Sequence, residues 1–435
     1  MSHPRAAPDI MLSDPGRSSG KVLIMVRNPS VVIIGAGVGG LTLALALRRR
    51  GIEAEILEQS AELREVGAAV ALAANATRLL GDIGLGDSLA QVSTEPARMV
   101  HRDGRDGRLI AATRGPGWYR GTFGAPFAGL HRADLQRLLA DAAGPEHLFL
   151  GCRVEALEEQ DWGMRVRCSS GATFDARIVV GADGVHSLTR DWVTGGDEPV
   201  YSGTSGFRGL VPAGQLRHMP DPGALQFWVG PRAHLLHYPI CGGKLINFLA
   251  VIDEPARWTA PAWMDPAEPG AHLTAFAGWH PAVTELIGAV PQSPRWGLFA
   301  RRPLARWNRG PVVLLGDAAH AMLPHQGQGA NQAIEDAFVL AEELGHAGDV
   351  LAALNRYARR RRARTRQVQL MSWAASAALH LPRGPAARRR DAYLARLPEH
   401  LAWIHGHDAL RQAANDPAPA PHRLQRLRSP DMSIH

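Results

Sequence analysis

Cysteine is scarce in this chain: three in 435 residues, Cys152, Cys168 and Cys241, with no C-x-x-C pair among them. That spacing indicates neither a disulfide framework nor a zinc site, and it fits a reducing cytoplasm. Lysine is rarer still, at Lys21 and Lys244 only, so arginine is the general base of the protein. The net charge of +7 and pI near 9.9 therefore do not make the run ARRRRARTR, from Ala358 to Arg366, a nucleic-acid site. The run continues the helical pattern LAALNRYARR without interleaved aromatics and reads as a solvated helix face. No apolar stretch is long enough to span a membrane, and VLIMV at 22–26 is too short for a signal peptide. Internal repeats are absent. So is a metal set, because His234 and His237, or His320 and His325, have no carboxylate or cysteine to complete them and strand alternation points the first pair apart.

What is present is a buried strand, Val31 to Ile34, running into Gly35-x-Gly37-x-x-Gly40 and then the apolar helix LTLALALRRR. Gly35 permits a tight turn, Gly37 lets backbone approach a pyrophosphate, and Gly40 lets the helix pack closely on the strand. The helix N-terminus offers free N–H groups to phosphate. A second strand, EAEILE, ends at Glu58, eighteen residues after Gly40, where a carboxylate meets a ribose hydroxyl. No second G-x-G-x-x-G exists for a nicotinamide cofactor.

The rest of the chain divides by pattern. Residues 1–29, rich in Pro, Ser, Gly and Arg, read as a disordered extension. Residues 30–195 carry the nucleotide-binding fold, including the amphipathic helix HRADLQRLLADAA and a hairpin-rich return at 147–183. Residues 196–300 alternate or run apolar between Gly-Pro and Cys-Gly-Gly turns, which predicts a separate antiparallel sheet. A buried strand at Val312 to Leu315 returns to the first domain over 301–345, and a helical region fills 346–435.

Three motifs together resemble the single-component flavoprotein aromatic hydroxylases, in particular the salicylate and 6-hydroxynicotinate hydroxylase branch: the fingerprint with Glu58, IVVGADGVHSLTR, and GDAAHAMLPHQGQGANQAIEDA. HLLHYPICGGKLINF and LAWIHGHDA extend the resemblance over about residues 30–410. It implies an α/β fold, with a Rossmann-like FAD-binding domain, an antiparallel β-sheet substrate domain and a helical C-terminal region. It implies non-covalent FAD, NADH or NADPH as co-substrate, O2, and oxygen transfer to an activated aromatic or heteroaromatic ring through a flavin C4a-hydroperoxide. The partner is then a small aromatic molecule, not nucleic acid or membrane, and the protein a monomer or homodimer.

By the resemblance, Gly35, Gly37, Val38, Gly40, Glu58 and Gln59 hold the ADP half of FAD, with Arg132 and the backbone near Val154 also touching the cofactor. Asp317 binds the ribityl chain and Asp183 supports the segment serving FAD and docked NAD(P)H. Chemistry accounts for the second glycine-rich segment: reduced flavin is negative near N1 and C2=O, so a helix opening at Gly329, Ala330 and Asn331 stabilises it. Pro324 fixes the loop beside C4a and contributes no N–H. A phenol becomes nucleophilic as phenolate, so the site needs a base near the substrate oxygen, for which His234, Tyr238 and His325 are the candidates. On a strand, His234 and Tyr238 face one side and His237 the other. Phe207, Phe227 and Trp228 are expected to line the pocket, with Arg208 as carboxylate partner.

Two positions depart from the branch. Its loop histidine is Ala71 here and its second loop glycine is Ala69, so covalent flavin attachment is not indicated. An epoxidase or other tailoring monooxygenase on a non-aromatic or polycyclic substrate would share every FAD motif. A flavin reductase, or an FAD-loaded regulator binding nucleic acid through the arginine helix, are the further alternatives.

Overall fold

The computed structural model describes residues 26–27, 30–63, 69–254, 257–258, 263–266 and 270–411. The segment expected to be disordered, 1–29, lies outside them except for Val26–Arg27. That short strand pairs in parallel with Thr173–Phe174, so the described fold begins before Ser30, where the sequence pattern starts it.

The nucleotide-binding layer is a six-stranded sheet in the order Asn308–Arg309, Val312–Leu314, Ile178–Gly181, Val31–Ile34, Ala54–Leu57, Leu148–Phe149, parallel except at its first pair. Its central strands are continuous apolar runs because helices cover the sheet: Val31 to Ile34 and Ile178 to Val180 are all buried. Strand order breaks sequence order beside Val31–Ile34. The carboxyl ends of these strands therefore open the crevice in which α/β folds bind ligands.

The second layer is an eight-stranded sheet in the order Met264–Asp265, Arg295–Ala300, Val200–Pro212, Leu245–Asp253, Ala233–Ile240, Leu225–Gly230, Met99–Asp103, Leu109–Ala112. Every junction is antiparallel except Leu225–Gly230 with Met99–Asp103. Residues 99–112, which the sequence pattern assigns to the first stretch of nucleotide-binding fold, thus cross over to extend the substrate sheet. One face of that sheet packs on the helix Pro281–Gly288, burying Phe207, Trp228, Leu235 and Phe248 against Ala282, Val283 and Leu286. The other face turns toward the nucleotide-binding layer.

Helices Gly329–Gly345 and Val350–Leu379 join the layers. The arginine run is not the solvated face the sequence predicts: Arg361 and Arg364 are buried, while Arg359, Arg362 and Arg366 are exposed. Glu335 and Asp336, both inaccessible to solvent, require the two buried arginines. Arg361 Nη1 donates to Glu335 Oε2 at 2.5 Å and its Nε to Asp336 Oδ1 at 2.6 Å, while Arg364 grips both Glu335 oxygens at 2.7 and 2.8 Å. Against the cost of burial, Arg364 and Arg361 hold the Glu335 carboxyl below its usual range, and His320 and Arg361 do the same for Asp336.

Glu335→Ala leaves the buried Arg364 without a carboxylate and removes one of the two that Arg361 holds, and is expected to lower unfolding stability by about 3–5 kcal/mol. Glu399→Ala, removing the exposed partner of Arg396, should change it by less than about 1 kcal/mol. Urea denaturation of both variants checks the contrast. Because the folded carboxyl pKa values are depressed, the cluster's contribution is complete above about pH 5 and is lost as pH falls through the folded values.

Candidate active site

The glycine loop separates packing from binding. Gly35 has φ +107°, its N–H donates to Leu57 O at 2.7 Å, and a Cβ there would lie 2.4 Å from Ala182 O. A Cβ on Gly40 would lie 2.1 Å from Gly35 O, so both glycines are demanded by the fold itself. At Gly37 a Cβ would meet nothing within 4 Å, and its φ of −73° suits any residue. No internal contact explains that glycine; a ligand lying on the backbone does. Gly37 caps the helix Val38–Arg48 without a side-chain hydrogen bond, which leaves the first-turn N–H groups for an anion.

Val38 is buried in the core, so only its backbone is available to a cofactor. Glu58 accepts from Ala36 N and Ser60 N, both at 2.9 Å, which aims its carboxylate along the loop. Gln59 is exposed beside it. Gln136, a residue the sequence patterns do not mark, donates to Ala36 O at 2.9 Å and braces the loop from the helix Arg132–Ala143. Val154 begins the strand Val154–Gln160 and packs on the nucleotide-domain core.

Farther along the crevice, Arg132 is accessible to solvent, yet surrounding protein depresses its pKa and Asp317 opposes that shift. Accessibility with desolvation marks a side chain lining a deep groove. Arg208 feels the same Arg132 charge, so Arg132, Arg208 and the exposed Asp317 surround one cleft. Asp183 closes the near wall: Ser187 Oγ donates to it at 2.5 Å, and Thr189 N and Oγ1 at 3.0 Å, while burial pushes its carboxyl pKa up.

The helix Gly329–Gly345 opens into this cleft with no side-chain cap, and a Cβ on Gly329 would lie 3.8 Å from Asp317 Oδ1. Ala330 follows in its first turn. Asn331 is fully occupied: its amide donates to Ala71 O and Gly327 O at 3.0 and 2.7 Å and accepts from Ala73 N at 2.7 Å. It therefore fixes the cleft wall and offers no side-chain donor to a ligand. A strip of uncapped N–H groups at each end of one groove, with Arg132 and Asp317 between, fits a long dinucleotide whose reactive ring rests near Gly327.

Comparison with known proteins agrees with this geometry. The FAD binding domain family matches residues 28–372. The chain belongs to that family. It is 40% identical over 386 residues to the 3-amino-4-hydroxybenzoate 2-monooxygenase of Streptomyces platensis, covering 88% of this chain and 97% of the relative. Klebsiella pneumoniae HpxO, solved with FAD and uric acid, superposes with a TM-score of 0.75 at 30% identity over 86% of this chain and 93% of its own. A salicylate hydroxylase substrate complex gives 0.77 at 28% identity, over 94% and 99%. The protein is an FAD-dependent monooxygenase of the aromatic hydroxylase type.

Beside the Gly327 end of the groove lies a cavity of about 160 Å³ between the eight-stranded sheet, the loop 325–328 and the C-terminal helices. Its walls include Met99, Leu225, Phe227, Leu236 and Leu401. Cross-strand register sets Arg208, Leu249, Leu236, Phe227 and His101 in one row across the cofactor-facing side of the sheet. Two of the four expected lining residues are misplaced by one position of strand alternation: Phe207 and Trp228 point to the opposite face, into the core beneath Pro281–Gly288. Phe227 lines the cavity as expected. Arg208 shares that face but stands over Trp296, 5.8 Å from its ring, toward Arg132 and away from the cavity.

The predicted histidines do come together. Pro324 opens the short turn Pro324–Gln326 and seats His325 in the cavity wall, with both ring nitrogens buried and unpartnered. The His234 ring lies behind it, centroids 5.1 Å apart. Burial and neighbouring imidazoles lower both pKa values, that of His325 to about 3, so both rings are neutral at pH 7. Tyr238 shares the sheet face of His234, but burial raises its phenol pKa far above neutrality, which removes it as a base and leaves it a hydrogen-bond donor. His237 faces the other way, as alternation requires.

Sequence patterns missed four polar groups. Arg390 lines the cavity at 3% exposure; its Nε and Nη2 hold Asp391 Oδ1 at 3.0 and 2.8 Å, and its Nη1 is buried without a partner. His101 stacks on Phe227 at 4.9 Å, its pKa lowered to about 4 by burial and by Arg390. His380 and Asp253 continue from His234.

Gly37→Val should leave urea stability within about 1 kcal/mol of the parent while weakening FAD binding by roughly tenfold or more. Gly40→Ala should instead destabilise the fold. Flavin fluorescence titration beside denaturation separates the two glycine roles.

Proposed function

We propose that the protein hydroxylates an aromatic ring carrying both a hydroxyl and a carboxylate, using NADH or NADPH and O2. The observation behind this reading is the unpartnered Nη1 of Arg390 along a predominantly apolar cavity. A buried cationic donor without a partner is costly, and an anionic ligand group removes the cost. The guanidinium is already turned by Asp391, so it is preorganised for a carboxylate.

The size of the cavity supports a single ring, since an apolar cavity of about 150 Å³ accepts benzene. Met99, Leu225, Phe227 and Leu236 would hold the ring by its faces and exclude water, which strengthens the charge interaction at Arg390. With the carboxylate there, the hydroxyl lies toward the histidine side of the cavity, where the neutral His325 imidazole forms the wall and the neutral His234 imidazole packs behind it. Loss of the hydroxyl proton to an imidazole raises the electron density of the ring ahead of attack. Bound FAD supplies the redox chemistry that activates dioxygen and delivers one of its atoms. The main chain at Gly327 and Gly329 allows a flat ring to lie close, and Ala71, 4.0 Å from a Cβ built on Gly327, gives it no nucleophile to bond with. The hydroxybenzoate named for the Streptomyces platensis relative belongs to the same chemical class.

Removing the Arg390 charge in Arg390→Gln should raise KM for hydroxybenzoates by roughly ten- to a hundredfold, the worth of a charge-assisted hydrogen bond. KM for the matching phenols without a carboxylate should change little. NAD(P)H oxidation with parallel peroxide assay, run on hydroxybenzoates, phenols and uric acid, reads this out. Equal use of phenols, or of uric acid, by the parent enzyme contradicts the carboxylate assignment.

A further inference from the structure

His234 is not an isolated base. Its Nδ1 lies 2.7 Å from His380 Nε2, and His380 Nδ1 lies 2.5 Å from Asp253 Oδ1. Three elements meet to build the chain. His234 lies on the strand Ala233–Ile240, Asp253 ends the strand Leu245–Asp253, and His380 caps the helix Val350–Leu379. The turn between strands holds them in place: Arg232 N donates to His380 O at 3.0 Å and Asp253 N to Arg232 O at 2.8 Å. Accessibility rises along the row, from His234 at 1% through the His380 side chain at 5% to the Asp253 side chain at 37%.

We infer that His380 and Asp253 are relay residues that carry the substrate hydroxyl proton from His234 to solvent. This rests on the proposed phenolic substrate. The order of donors follows from the end that cannot donate. An ionised Asp253 only accepts, so His380 carries its proton on Nδ1 and presents a lone pair at Nε2. His234 must then donate from Nδ1, which leaves Nε2 as the free base of a ring packed against His325 of the cavity wall. When Nε2 takes the hydroxyl proton, the Nδ1 proton of His234 moves to His380 Nε2. The Nδ1 proton of His380 then passes to Asp253 and on to water. One proton leaves the substrate oxygen and one reaches solvent; each imidazole ends neutral with its tautomer exchanged, and returns by ring rotation or by the reverse hop. Burial of His234 makes a stored imidazolium unfavourable there, so an outlet matters more than basicity. The other titratable groups beside the row are Asp103, in the same cross-strand row and held by Arg383 at 3.0 Å, and the neutral His325; among the described residues neither forms a hydrogen bond to His234, His380 or Asp253.

Two measurements on the FAD-loaded enzyme test the relay. Nitrogen-15 histidine NMR at neutral pH should find both His234 and His380 protonated on Nδ1, and Asp253→Asn should disturb both rings. A proton on Nε2 of either ring in the parent, or an unperturbed spectrum in the variant, overturns the assignment without reference to any substrate. In the second, 3-amino-4-hydroxybenzoate is mixed with enzyme in weakly buffered indicator dye, in the absence of NAD(P)H. Proton release should slow at least tenfold in Asp253→Asn and His380→Gln while the ligand-induced flavin absorbance change reports unchanged binding. Release at the parent rate in both variants overturns the relay. If the parent shows no flavin perturbation with any hydroxybenzoate, the substrate reading fails, and the tautomer measurement alone decides the relay.

Discussion

Two carboxylates with no access to water set the terms for this structure. Glu335 and Asp336 lie on the helix whose uncapped N-terminus opens into the cleft, and their burial is tolerable only with Arg361, Arg364 and His320 held against them. The same oxygens accept from Asn75 at 2.7 Å, from Gln332 at 3.0 Å and from Gly316 N at 3.1 Å. Arg364 reaches onward to Ile404 O at 3.1 Å. The loop at 71–75, the Gly316 turn, the cofactor helix and the last helix of the cavity wall are therefore tied to one ion cluster. The donors and walls at this end of the cleft depend on it.

Around that anchor the chain divides its work between two sheets. The parallel sheet presents strand ends and two helix N-termini without side-chain caps along one groove. The larger sheet closes the groove with one face while its other face is ordinary core. Polar groups on the closing face are few and each has a direction: Arg208 toward the cofactor cleft, His234 toward His380 and Asp253. Arg390 arrives from the helical region to complete the cavity. Electrostatic effects are strong here because the walls between these groups are apolar.

Much of the nucleotide-binding half is legible in the residues because its constraints are local. Gly35, Gly40 and Glu58 follow from the turn and helix geometry of one βαβ unit, and the His234 to Tyr238 spacing follows from strand alternation. Alternation puts only one of each neighbouring pair, Phe207–Arg208 and Phe227–Trp228, on the cleft side without saying which, so an expectation naming all four misplaces Phe207 and Trp228. The arginine run misled for a different reason: Arg361 and Arg364 continue the buried stripe of Leu354, Tyr357 and Val368, and that period outweighs their charge once Glu335 and Asp336 are there to meet them. Arg390 likewise lies between Ala387 and Leu394 on the apolar stripe of its helix. No local pattern signals the His380–Asp253 contact, since it joins a helix end to a strand end more than a hundred residues away.

The central claim is oxygen transfer to a hydroxylated aromatic acid. Its most direct test is NAD(P)H-driven turnover of 3-amino-4-hydroxybenzoate and related hydroxybenzoates under isotopically labelled dioxygen, with products read by mass spectrometry. The account predicts a ring-hydroxylated acid carrying one labelled atom, with little peroxide. Oxidation of NAD(P)H that yields only peroxide across these acids, or a product whose new oxygen comes from water, would contradict it.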